Sequence, residues 1–123
     1  MEIMLYDREL EVMQVLWERG PATVAEVKET LADPMAYTTV LTVLRRLEEK
    51  GYVGHAEEGR AHRYHPLIES KQVRESAIDR LTRRMFDGSA AMLLSHLVTN
   101  EKLTDAELRR LKKWIAGQLG EES

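Results

Sequence analysis

One stretch, residues 35–51 (MAYTTVLTVLRRLEEKG), limits what this chain can become. Val40, Leu44 and Leu47 recur at the spacing that stacks side chains on one helical face, with Val43 beside them. The other face carries Thr38, Thr39, Thr42, Arg45, Arg46 and Glu49. Gly51 stands where a helix end favours a left-handed residue, and Lys50 suits the negative end of the helix dipole. The spacing therefore predicts an amphipathic helix whose solvent face is built from hydroxyls and guanidiniums. Hydroxyls bond phosphates or base edges, and Arg grips guanine bidentately in the major groove.

The preceding residues supply a partner for that helix. Residues 7–18 read as a first helix, capped by Asp7, with Leu10, Met13 or Gln14, and Trp17 on one side and Val12, Val15 and Leu16 widening the apolar stripe. Gly20-Pro21 breaks the chain, and residues 22–24 can pair briefly as a strand. Thr23 with Glu26 forms a capping-box pattern, so a second helix should open there and run to about residue 32, burying Val24, Val27 and Leu31. Two helices joined by a short turn, the second with a polar outer face, make a helix-turn-helix arrangement.

A hairpin should follow. Residues 52–57 and 60–65 read as strands around a Glu58-Gly59 turn, with Val53 and Tyr64 facing the core. A hairpin directly after a reading helix is the wing of a winged helix. Arg60 at its turn and Arg63 on its return strand are candidates for phosphate or minor-groove contact. His55, His62 and His65 fall on the same hairpin, but lack the carboxylate pattern of a metal site, and no metal or cofactor is expected.

After Pro66 the composition changes. Residues 70–86 read as a helix with Val73, Ala77, Ile78, Leu81 and Met85 on one side and Lys71, Arg74, Arg80, Arg83 and Arg84 on the other. Ser89 can cap a segment, residues 90–98, that is apolar nearly all round and must be covered, with Met92, Leu93 and Leu97 in its stripe. Thr104 with Glu107 is a second capping box, opening a last helix with Leu108, Leu111, Trp114 or Ile115, and Leu119 at helical spacing. Met4, Met13, Met85 and Met92 read as core filler. So small a helical unit rarely holds a sufficient core by itself. Burial against a second copy, through Val73, Ala77, Leu81, Met92, Leu93, Leu97, Leu108, Leu111 and Ile115, is the economical solution. The expected layout is mainly α: a winged-helix DNA-binding domain over residues 1–66 and a three-helix dimerisation region over 67–123.

Charge distribution agrees with that layout. The net charge of −3 argues mildly against nucleic acid as an average. Residues 1–35 hold three basic residues against eight acidic ones, residues 36–86 ten against seven, and residues 87–123 five against six. The basic excess coincides with the proposed reader, its wing and the next helix, and its modest size implies salt-sensitive affinity that pairing of two chains would raise. The absence of cysteine excludes disulfides, thiolate metal sites and a cysteine nucleophile. No apolar run reaches membrane-spanning length and no signal layout opens the chain, so a cytoplasmic location without membrane insertion is expected. No phosphate loop, nucleophile elbow or His-Glu-x-x-His motif appears, which points away from an enzyme.

Residues 11–17 (EVMQVLW), 23–27 (TVAEV), 36–51 (AYTTVLTVLRRLEEKG) and 59–66 (GRAHRYHP) together resemble the penicillinase-repressor family of bacteria, the BlaI/MecI/CopY regulators. The resemblance spans residues 5–66 closely; the tail matches in length and helical layout. It implies a homodimeric repressor with interlocking tail helices that binds palindromic double-stranded operator DNA. Its DNA contacts would fall on Thr38, Thr39, Thr42, Arg45 and Arg46, with Tyr37 at the helix start, where peptide N–H groups meet a phosphate. Copper-type members carry a cysteine-rich metal site, which this chain lacks. The β-lactam type is released when a membrane-bound sensor peptidase cuts between Asn and Phe near the end of the second tail helix. Here Asn100 falls at that place and Glu101 follows it. Release by proteolysis there, or by another signal acting on the tail, is the expectation. Two other classes remain open: a winged helix used as a protein-docking module, and a regulator that takes a small molecule at its dimer core.

Overall fold

The computed structural model describes residues 2–121. Along the chain run α1 (Asp7–Arg19), β1 (Ala22–Thr23), α2 (Val24–Thr30), α3 (Tyr37–Glu49), β2 (Val53–Glu58), β3 (Ala61–Pro66), α4 (Ser70–Met85), α5 (Ala90–Asn100) and α6 (Asp105–Gln118). The chain divides into two compact units, one ending at Ile78 and the other beginning at Asp79, so the division falls inside α4.

The first unit is a winged helix. Its core is made by Val12, Met13, Val15 and Leu16 of α1, Val24 and Val27 of α2, and Val40, Val43, Leu44 and Leu47 of α3. Met35, Val53, Tyr64 and Ile68 close it. The antiparallel sheet has strand order β1-β3-β2. Ala22 pairs with Tyr64 and Thr23 with Arg63, while β2 and β3 pair in register from Val53 opposite Pro66 to Glu58 opposite Ala61. Gly59, with φ 62°, makes the hairpin turn, one residue later than the sequence reading put it. Trp17 Nε1 donates to the Ile68 carbonyl at 2.9 Å, which satisfies the indole as its ring packs on the core.

Helix ends follow local chemistry. Thr23 accepts from the Glu26 amide while the Glu26 carboxylate accepts from the Thr23 amide, a closed capping box. Thr104 and Glu107 do the same for α6, and Ser89 Oγ caps α5 through the Met92 amide. Asp7 does not cap α1: the helix starts at Asp7, and the Tyr6 amide before it donates to Glu9 Oε1 at 2.9 Å. Gly51 follows the end of α3 with φ 81°, a backbone region only glycine enters without strain.

Methionine placement departs from the sequence reading. Met13 and Met35 are buried, whereas Met4, Met85 and Met92 are exposed. Val73 packs against the core of the first unit, so its apolar surface serves its own winged helix; Ala77, a turn further on, is exposed. In the second unit, α5 and α6 contain no buried residue at all. Phe86 meets His96 edge-on at 5.8 Å between centroids, and Leu93, Leu94 and Leu111 are half-buried.

Arg63 ties the wing to α2. Its guanidinium reaches Glu58 Oε2 by Nε and Glu26 Oε1 by Nη1 at 2.9 Å, and Nη1 also donates to the Pro21 carbonyl at 3.2 Å. Glu26 meets Arg19 on its other oxygen at 2.8 Å. The hydrogen bond from the Thr23 amide, then that from its hydroxyl and the charges of Arg63 and Arg19, hold the Glu26 carboxyl below its ordinary value. The Arg63 hydrogen bond and charge do the same for Glu58. A carboxylate depressed in the folded chain contributes stability above its unfolded pKa, and that contribution fades as pH falls through the folded value. Glu26→Gln retains the cap and removes the charge. At neutral pH it should melt at a lower temperature than the parent, and the gap should close below about pH 4 as the parent's carboxylates protonate. A gap that persisted undiminished in acid would assign the effect to packing.

Candidate nucleic-acid interface

Helix α3 presents its outer face because its inner face has no alternative. Val40, Leu44 and Leu47 are fully buried and Val43 nearly so. Tyr37, Thr38, Thr42, Arg45 and Arg46 consequently lie exposed, and Thr39 is half-buried at the edge. The six candidate residues of α3 thus lie on its solvent side. Thr42 Oγ1 donates to the Thr38 carbonyl at 2.9 Å. Its hydroxyl proton is spent within the helix, which leaves oxygen lone pairs and a methyl group to offer outward. Arg45 and Arg46 have no hydrogen-bond or ion-pair partner among the described residues.

The far end of α3 is anchored by a pair that helical periodicity does not reveal. Lys50 Nζ lies 2.9 Å from Glu9 Oε1 and 4.9 Å from the Tyr6 ring centroid. The Glu9 side chain is 1% exposed, so one buried carboxylate accepts from both the start of α1 and the end of α3. Its second oxygen has no hydrogen-bond partner among the described residues. Removing Lys50 would leave the buried Glu9 carboxylate without its counter-charge, which is the costly way to break such a pair. The signal available in the sequence is Glu9 three residues after Tyr6, the same spacing as the capping boxes.

On the wing the two arginines have different fates. Arg60 sits at the hairpin turn, exposed and without a partner among the described residues. Arg63, expected to meet phosphate, has its donors engaged by Glu58, Glu26 and Pro21 and is a brace within the fold. β1–β3 pairing puts Thr23, and with it the α2 capping box, directly beside Arg63.

The hairpin histidines also resolve. His55 pairs opposite Tyr64, so it and His65 point to opposite faces of the sheet. His55 and His62 stack at 4.2 Å between centroids on the Tyr64 side, and His55 Nδ1 meets Glu48 of α3. Burial raises the Tyr64 phenol above its ordinary pKa. Among the described residues no three His or carboxylate groups converge as a metal site. Among them, too, no helix is long and apolar enough to cross a membrane.

Comparison with known proteins places this surface in context. The penicillinase repressor family model matches residues 5–117. The chain is 38% identical over 110 residues to the transcriptional regulator BlaI of Mycobacterium tuberculosis, covering 86% of this chain and 80% of that protein. It is 30% identical over 107 residues to the penicillinase repressor of Bacillus licheniformis, covering 85% of this chain and 84% of that one. Among solved structures, the DNA-binding domain of the repressor BlaI superposes with a TM-score of 0.51 at 34% identity, covering 58% of this chain and 93% of that domain. Monomeric Bacillus licheniformis BlaI in complex with the blaP half-operator superposes with a TM-score of 0.50, also at 34% identity, covering 58% and 90%. The match extends past the winged helix into the tail and spans the whole of α3: the chain belongs to the penicillinase repressor family.

Proposed function

We propose that this chain represses transcription as a homodimer, with α3 of each copy in the major groove of a palindromic operator and the wing tip on the adjoining backbone. The observation that carries the reading is the unpaired Arg45–Arg46 couple on a hydroxyl-lined outer face. A protein-docking surface would be apolar there, and this one offers guanidiniums and hydroxyls. Arg46 and Arg45 supply the donors that suit guanine O6 and N7 or a phosphate. Thr42, its proton already donated to Thr38, suits an exocyclic amine donor or a thymine methyl. Arg60 suits phosphate or the minor groove.

The tail supports pairing. Met92, Leu97, Leu108, Ile115 and Leu119 are exposed, with Leu119 at 68%. Apolar surface of this extent on a single chain marks an interaction site. Burial against a second copy through Leu81, Met92, Leu93, Leu97, Leu108, Leu111 and Ile115 covers it and sets two reading helices about 34 Å apart, one DNA turn. Release fits the same architecture. Asn100 ends α5, and Glu101 begins an exposed non-helical link to α6. A sensor peptidase, or another signal, acting at that link would detach α6 and weaken the pair; the acidic Glu101 argues for a specificity other than an apolar residue after the cut.

Arg46→Ala should weaken binding to a selected palindromic duplex by about 1–3 kcal/mol, with discrimination relaxed at one base position. A loss equal on all sequences would assign Arg46 to the backbone. Leu97→Asp combined with Ile115→Asp should sediment as a monomer at micromolar concentrations where the parent is a dimer, and should lose tight palindrome binding in parallel. A variant that stayed dimeric would place the interface elsewhere.

A further inference from the structure

The outer face of α3 is bordered by a groove on each side. On the wing side, a groove of about 230 Å³ is lined by Tyr37, Arg45 and Arg60 among others. On the opposite side, a larger cleft of about 660 Å³ separates the first turn of α1 from α3, between Arg8 on one wall and Thr38, Thr42 and Arg46 on the other. Each groove thus carries one α3 guanidinium and one guanidinium from a neighbouring element. Arg8 is exposed and, like Arg45, Arg46 and Arg60, has no hydrogen-bond or ion-pair partner among the described residues.

A helix with its side chains is about 10–12 Å across and the major groove about 12 Å wide, so a helix seated there has a phosphate strand along each flank. The wing-side groove accounts for one strand. We propose that the cleft between α1 and α3 seats the other, with Arg8 and Arg46 gripping a backbone phosphate from its two walls. Arg8 then touches the DNA backbone from an element outside both the reading helix and the wing. The two acids in the cleft do not defeat this. Glu9 is buried and neutralised by Lys50, and Asp7 is one exposed charge against two guanidiniums. Phosphate and sugar commonly receive half or more of the hydrogen bonds between a protein and DNA, and these fix orientation without reading sequence.

This inference rests on the DNA-binding reading, and the test separates the two. Full-length Arg8→Ala, Arg8→Lys and Asp7→Asn chains are titrated across a salt series. The probes are a short palindromic duplex selected by the parent and a mixed-sequence duplex. The Arg8→Ala chain should bind both duplexes more weakly by a similar factor. Its log K against log salt should be shallower by about 0.9 for each phosphate no longer neutralised, hence nearly two for a bound dimer. Arg8→Lys should restore the slope, and Asp7→Asn should tighten binding to both duplexes. Single methylphosphonate substitutions scanned along each strand should reveal a position that weakens the parent and leaves Arg8→Ala indifferent. Unchanged affinity and slope in Arg8→Ala, or a loss confined to the selected sequence, would overturn the phosphate seat while leaving the repressor reading intact. Failure of the parent itself to bind either duplex at low salt would sink the reading beneath it.

Discussion

Burial of one face of α3 is the constraint from which the remaining geometry follows. Val40, Val43, Leu44 and Leu47 sit against α1 and α2 with almost no solvent exposure. Each such side chain is worth about 1.5–3 kcal/mol relative to exposure. Rotating the helix by one residue, roughly 100°, would forfeit most of that and drive Arg45 or Thr42 toward a core that offers no partner. No surface interaction in the unit approaches this size, so the aim of the hydroxyl and guanidinium groups is a by-product of apolar packing. The Glu9–Lys50 pair then fixes the helix along its axis, joining its last turn to the first turn of α1. The hydrophobic seam sets rotation, and the pairing of Lys50 with the buried Glu9 sets translation.

The contrast between Arg60 and Arg63 shows electrostatics dividing labour between residues of the same type. Both lie on the hairpin three residues apart. Arg63 is held above its ordinary pKa by the Glu58 hydrogen bond and the Glu26 charge, and its cation is consumed by two carboxylates. Arg60, at the turn, meets neither. A wing braced by Arg63 holds its tip in one place, which lets Arg60 meet a partner without the entropic cost of first ordering the hairpin. The network is exposed enough that salt screens it, so its contribution lies in orientation more than in stability.

Much of this is legible in local sequence, and the misreadings share a cause. The α3 periodicity, the boxes at Thr23–Glu26 and Thr104–Glu107, the Ser89 cap and the hairpin are short-range signals, encoded within a few residues of where they act. The features that escape a local reading depend on residues far along the chain. Arg63 reads as a free wing cation until β1 brings Glu26 beside it. Nothing near Glu9 in sequence announces its burial, because its counter-ion Lys50 arrives from the end of α3. Val73 reads as an apolar residue of the tail, and the winged-helix core claims it. Met85 and Met92 fit a core by chemistry, yet both are exposed, and α5 and α6 bury no side chain within one chain. Periodicity identifies an apolar face; it carries no information about which molecule covers it.

That last point bears on how a repressor of this design would be released. On the proposed dimer, engagement of the second half-site is intramolecular, and the paired tails act as a tether with an effective concentration on the order of millimolar. On that reading each winged helix alone, with only a modest basic excess, would bind weakly at physiological salt. Splitting the pair removes the tether without altering one atom of α3. A signal therefore need not reach the DNA face at all. It would need only to reduce the apolar surface shared by the tails, and the non-helical link after Asn100 offers one place to do so. A reader with its own core and tail helices without one make that economy available: stability of the reader and stability of the pair are separate quantities, and only the second has to be switchable.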